Sequence, residues 1–472
     1  MNDTFRYILA GGLIFLIIIL QPVYLEWLGY DTGAVSEKNL EIVDSESVVA
    51  ATREKNITPS FESGSAAILT KQGPAESFIT IVTPLYTATL TNKSGGSFTN
   101  YFLSSENSDE LKHLGGYSDG GVFNPNIPVS LIINSEEDCM PCLAEYNDMD
   151  DMYTFINQPF TLLNYSNRQD TIFLDSGTIE LKYSLNNNDG LALINKIVSF
   201  SANKYINEHY YEINDEAFEY SNNLELLWYG GLRPSEEKED EDIAYGSGII
   251  SQAGETEDIQ AKDSEKNIAR EVFKGQTDWV AIRTKYFMSA IIAKDPGKYA
   301  TLSEHNESFG NRKHTPLYSA SIGYPLNVST ISSSIYLGPL DVDYLSQTDV
   351  SLDASMNWGF APIRPISKGV LWVLKFMHNK LNLNYGLVLL LFAVLVRLIT
   401  GPLTKKSYES SQNMQKIQPE IKKIQAKYKG DPQRLNKETM ALYKLHKVNP
   451  LGGCLPIMLQ MPLLWALFMV FR

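Results

Sequence analysis

Apolar positions along this chain fall into two regimes, long unbroken runs near the two ends and short strand-like runs between them. Leu387 to Val396 is an unbroken apolar run, and Arg397 follows it inside the same expected helix. Gly401, Pro402, Leu403, Thr404 and Lys405 are expected to close that span. A second apolar span begins near Pro456 and carries one amide, Gln460. Phe5 to Leu20 is apolar except for Arg6 and lacks a small-x-small cleavage site after it, so it reads as an uncleaved signal anchor. Between these lie runs rich in β-branched and aromatic residues: 78–83, 86–91, 171–174, 178–185, 191–202 and 210–213. Turn residues punctuate them, as in Asn92-Lys93-Ser94-Gly95-Gly96, which predicts an antiparallel β-sandwich or barrel from about Glu76 to Asp341.

Two further periodicities are helical. Val370, Leu371, Val373, Leu374, Phe376 and Met377 are interrupted by Lys368, Lys375 and Lys380, an amphipathic pattern too short and too charged to span and suited to a membrane interface. The alternative is a helix packing on the preceding domain. Met414, Ile417, Ile421, Ile424 and Tyr428 are spaced 3, 4, 3, 4, a coiled-coil seam. Gly430-Asp431-Pro432 breaks that helix, and Leu435, Leu442 and Leu445 supply a facing stripe. The expectation is an antiparallel helical hairpin.

Charge assigns sides. The 472-residue chain has a net charge of −15, but residues 403–449 hold eleven Lys/Arg against four Asp/Glu, while 26–365 hold 23 against 50. The basic hairpin therefore belongs on the cytoplasmic side and the acidic bulk across one span from it. The run Ser235 to Asp242 is expected to be a solvated acidic loop. Cys139-Met140-Pro141-Cys142 admits a redox motif, a local disulfide or two unpaired thiols, and the lack of a βαβ pattern around it argues against the first. Cys454 reads as a packing residue. An arginine inside a membrane helix is costly and marks a function unless it snorkels to the headgroups.

Long motifs now bear on identity. Val396-Arg397 with Gly401 to Lys405, Met440-Ala441-Leu442-Tyr443-Lys444, Lys447-Val448-Asn449-Pro450-Leu451-Gly452-Gly453-Cys454, and Gln460-Met461-Pro462 together resemble the YidC membrane protein insertases. Thr277 to Ile282, Lys285-Tyr286-Phe287 and Tyr336-Leu337-Gly338-Pro339 resemble motifs of that family's periplasmic domain. The resemblance implies a multi-domain membrane protein: signal anchor (1–28), flexible tether (29–75), periplasmic all-β supersandwich (76–350), amphipathic interfacial helix (351–382), transmembrane helix (383–402), cytoplasmic coiled-coil hairpin (403–449) and a second core transmembrane helix (450–472) of an α-helical insertase core. Five core membrane helices are implied, so the chain, reaching Arg472 in its third span, is expected to be incomplete.

The implied activity makes and breaks no bond. It is insertion and folding of nascent membrane proteins at a bacterial inner membrane, alone or with the Sec translocon. Arg397 would hydrate a client groove, with Gln460 as a second polar group and Met461, Leu464 and Phe468 as an apolar slide. Ala393 stands where relatives often place a polar residue, which leaves more to Arg397. Lys405, Lys406, Lys416, Lys422, Lys423 and Lys427 would dock the ribosome, signal-recognition components or anionic lipid; the bland reading is a solvated face that sets topology. No cofactor, metal or sequence-specific nucleic acid is expected, and no Walker-type loop is found. Two other classes compete. A periplasmic carbohydrate enzyme would need a constellation around His113, His209, His305 or His314, and a channel would use Arg397 as an ion site.

Overall fold

The computed structural model describes residues 74–471 except 104–112, 119–120, 134–138, 148–151, 166–169, 218–223, 261–267, 326, 357, 361 and 447–454. The expected signal anchor, nearly all of the tether, and the stretch from Lys447 to Cys454 lie outside the described residues.

Strand formation follows the β-branched and aromatic runs. In a four-stranded sheet, β1 (Phe78–Val82) pairs antiparallel with β2 (Tyr86–Thr91), and β2 with β3 (Ser97–Leu103). Residues of β9 (Thr171–Phe173) add in parallel to the other edge of β1. Ile79 and Ile81 point inward with Tyr86, Ala88 and Leu90, the period of two expected of a sheet with one buried face. The turn into β3 needs left-handed backbone: φ is 53° at Ser94, 64° at Gly95 and 94° at Gly96. A Cβ on Gly96 would also stand 2.9 Å from the Tyr183 ring. A two-stranded ribbon, β4 (Leu114–Tyr117) and β5 (Phe123–Pro128), stands apart.

The large sheet has 13 strands among the described residues. Its path runs β7 (Met152–Phe155), β6 (Cys142–Asn147), β13 (Leu224–Trp228), β18 (Arg312–Tyr324), β17 (Phe287–Phe309), β19 (Thr330–Pro339), β12 (Ile206–Ile213), β11 (Ala192–Ser201), β10 (Thr178–Asn186) and β8 (Thr161–Leu162). Strands β14 (Ser247–Gln252), β15 (Glu255–Ile259) and β16 (Ile268–Arg283) branch from β17. One apolar core joins the two main sheets, with Ile81, Tyr86 and Leu90 meeting Tyr183, Val198, Phe200 and Ile335. Each such side chain contributes about 1.5–3 kcal/mol on burial.

The core also holds charge. Glu225 is fully buried between Arg270, Tyr153, Tyr299 and Ser321, all of which donate to its carboxylate. The Arg270 guanidinium lies 3.5 Å from the centre of the Tyr146 ring. Lys196, fully buried on β11, donates to the Ser94 carbonyl at 3.0 Å and has no carboxylate partner among the described residues. Burial pushes its ammonium down to about 7. His209, also buried, is held well below the ordinary histidine value by burial and then by Lys196. Cys139 and Cys142 form a disulfide, so the Cys-Met-Pro-Cys segment is a buried local bridge among Tyr146, Tyr153 and Phe155.

The acidic run departs from the solvated loop expected of it. Its second half is a helix, α1 (Glu239–Tyr245), docked on the sandwich. Arg312 donates to Asp242 at 2.6 Å in a buried pair, Lys285 bridges Glu236 and Glu241, and Glu239 accepts from the His314 amide. Burial raises the Asp242 carboxyl to about 6 despite Arg312. The partners lie 44 to 75 residues away in sequence, so no local pattern announces them.

After β19 come the short helix α2 (Val342–Leu345) and then α3 (Arg364–Leu381), α4 (Tyr385–Lys427), α5 (Pro432–Leu445) and α6 (Leu455–Phe471). Asn382 ends α3 in the left-handed region at φ 49°, and Asn384 caps α4 by accepting from the Leu387 amide at 2.9 Å. The expected span and the first arm of the hairpin are one 43-residue helix. Pro402 does not end it: the ring removes one backbone donor, the one that would reach the Leu398 carbonyl, and the helix runs on to Lys427.

Candidate functional site

Helices α3, α4 and α6 pack around Ile363, Val370, Leu374, Val388, Phe392 and Ala466. On α4 the inward positions are Val388, Phe392 and, partly, Val396, a 3.6-residue stripe. Arg397 is one residue beyond it and therefore about 100° round the helix. It is exposed beside Leu390, Val394 and Leu398, and it has no hydrogen-bond or ion-pair partner among the described residues. The residues from Tyr385 to Pro402 are long and apolar enough to cross a membrane.

On α6, Leu463, Ala466, Leu467 and Val470 face the other helices. Met461, Leu464 and Phe468 share the opposite, exposed stripe, with Phe468 59% exposed. Gln460 is half-buried at the seam between the two faces. The helix is 17 residues long, about 26 Å at 1.5 Å per residue. The outward face of α6 thus carries the three apolar residues singled out from sequence, and the outward face of α4 carries the arginine.

The hairpin closes through the seam. Ile417 is buried, Met414, Ile421, Ile424 and Tyr428 are half-buried, and Leu442 is the buried residue of α5. Leu445, expected in the facing stripe, is 77% exposed and takes no part in it. His446 and Glu420 pair across the two arms at 3.3 Å. Lys405, Lys416, Lys422, Lys423 and Lys427 are exposed, and none has a carboxylate partner among the described residues. For Lys406 only the helical backbone is described.

The four histidines of the sandwich lie in separate settings. His209 is enclosed beside Lys196, His305 stacks on Tyr229 and pairs with Glu307, His113 faces Phe287, and His314 is tied through its amide to Glu239. Sequence reasoning missed Lys196 and Glu225, whose only local signal is a charge in an inward position of a strand. Ion pairs tie α3 to the segment that leaves the sandwich, a contact of the kind the alternative reading of this helix allowed for. Lys375 bridges Asp341 and Asp343, and Lys368 pairs with Asp353, all in the segment that leaves the sandwich.

A β-rich domain followed by a helical region with one membrane-length apolar helix among the described residues defines a class by architecture. Two family models match this chain: the YidC periplasmic domain over residues 134–373, about half of the chain, and the 60Kd inner membrane protein over 376–472. The chain belongs to the YidC membrane protein insertase family, a family of bacterial inner-membrane proteins. Among curated relatives, the membrane protein insertase YidC of Prosthecochloris aestuarii is 36% identical over 283 residues, covering 58% of this chain and 47% of that protein. That of Chlorobium phaeovibrioides is 36% identical over 267 residues, 53% of this chain and 43% of the relative. That of Chlorobium limicola is 28% identical over 467 residues, 97% of this chain and 75% of the relative. The chain thus spans about half the length of the first two.

Proposed function

We propose that this chain acts in membrane protein insertion and chaperoning, with α4 and α6 as walls of a hydrated groove. The observation that carries this is Arg397, exposed and unpartnered among the described residues, on an otherwise apolar membrane-length helix. The obstacle to insertion is the cost of peptide groups and charges in hydrocarbon. A cation in a part-buried groove holds water and attracts acidic residues of the client's translocated segment, more strongly than it would in bulk water. Gln460 offers a donor and an acceptor to unfolded backbone, and Met461, Leu464 and Phe468 offer an apolar path for the client's hydrophobic segment.

In this reading α4 spans the inner membrane, the sandwich is periplasmic, and the hairpin is cytoplasmic. The exposed hairpin lysines receive the ribosome, signal-recognition components or anionic lipid, and the Sec translocon assists with larger clients. Arg397→Ala is expected to lower insertion of small clients with acidic external tails by about fivefold or more, the factor that about 1 kcal/mol carries, while Arg397→Lys keeps most of it. A protease-protection assay of radiolabelled clients reads both. Unchanged insertion in the alanine variant refutes the groove role.

A further inference from the structure

At the foot of the sandwich, a cavity of about 440 Å³ opens beside α3. Trp358, Leu371, Trp372 and Phe376 form its apolar lining, and Asp343 and Lys380 lie at its polar rim. Trp372 is 66% exposed and stacks on Phe376 with ring centres 5.6 Å apart, which makes an exposed aromatic wall.

The charges here do not cancel locally. Lys375 bridges two carboxylates, Asp341 at 3.1 Å and Asp343 at 2.8 Å, while Lys368 is matched one to one by Asp353 at 2.6 Å. One negative charge is left over at the Asp343 end, where that side chain is 66% exposed. Lys380, exposed, has no partner among the described residues and supplies one positive charge at the other end. It follows Lys375 by five residues, about 7.5 Å along the helix. Lys380 is also the last charge before α4, five residues ahead of Tyr385.

We propose that this cavity binds the headgroup of a zwitterionic aminophospholipid of the phosphatidylethanolamine type. Its ammonium meets Asp343, the carboxylate at the rim that Lys375 neutralises only in part, its phosphate meets Lys380, and its glycerol and upper acyl chains lie on Trp372 and Phe376. An anionic headgroup without an amine fits worse, because it brings no cation to Asp343, which shares Lys375 with Asp341. A choline headgroup carries the same charges but no N–H to donate to a carboxylate. The proposal rests on the reading of α3 as an interfacial helix.

The test is fluorescence quenching of the full chain in proteoliposomes of equal phosphatidylethanolamine and phosphatidylcholine. Bromines are placed on the acyl chains of one lipid or the other, and the difference from Trp372→Phe isolates the Trp372 signal. Quenching is expected to be about two- to fivefold stronger when phosphatidylethanolamine carries the bromines, the range that exposed ion pairs support. Asp343→Asn and Lys380→Ala should each bring the two values together. Equal quenching by both lipids in the unaltered chain overturns the headgroup site and leaves α3 in the interface. Absence of quenching by either lipid overturns the interfacial reading and the site with it. Stronger quenching by brominated phosphatidylglycerol, when that lipid replaces phosphatidylcholine, assigns the cavity to anionic lipid and overturns the proposal.

Discussion

Replacing Lys196 by methionine isolates one buried charge in the sandwich. The ammonium is fully buried, accepts no ion pair among the described residues, and donates to the Ser94 carbonyl at 3.0 Å. Burial lowers it from the ordinary 10.5 to about 7. Between those values the unfolded chain binds one proton more than the folded one, so stability rises with pH at up to about 1.4 kcal/mol per pH unit. The contribution is complete above the unfolded lysine's value and is lost as pH falls toward 7. From pH 7.5 to 9.5 the gain is about 2.5 kcal/mol. The window is clean on both sides. The buried tyrosines, Tyr86, Tyr153 and Tyr183 among them, are raised by burial, and their unfolded forms ionise only near the ordinary tyrosine value of 10.0. Asp242 titrates below it, near 6. Guanidinium unfolding of the detergent-solubilised chain, followed through the buried Trp228 and Trp279, measures the slope. Lys196→Met is expected to lack this slope, so the offset between the two proteins changes by about 2.5 kcal/mol over the window whatever its sign at the start. A parallel pH dependence in both proteins would refute a neutralised lysine.

Two further outcomes follow from burial. Glu225→Gln leaves Arg270, whose side chain is 11% exposed, without a counter-charge; it should cost about 3–5 kcal/mol by the same unfolding assay, and adding Arg270→Met should recover part of the loss. Ile417→Ala opens the hairpin seam: hydrogen exchange should rise in α5 around Leu442, while Leu445→Ala, at a 77% exposed position, leaves it unchanged.

The sequence alone determined the features whose cause is local. The β-branched runs placed strands β1, β2, β10 and β11, because a pleated face with one side buried needs that alternation. Asn92 to Gly96 marked a turn whose positive φ values favour glycine. The 3-4 spacing from Met414 to Tyr428 marked the seam, since residues three and four apart share a helix face. Arg397, Gln460, Met461, Leu464 and Phe468 were chosen from motifs and hydropathy. Tertiary structure decided the rest. Pro402 lies inside α4, which continues to Lys427, and a residue-by-residue reading of Gly401-Pro402 does not anticipate that. Glu225, Lys196 and the paired acidic residues of α1 find their partners 44 to 102 residues away, and their burial depends on strand register and not on their neighbours. Which way Arg397 points is fixed by Val388 and Phe392, because packing that stripe against α3 and α6 turns the next position outward. Local pattern specifies periodicity and sign of charge; only the assembled sheets and helices specify what each charge meets.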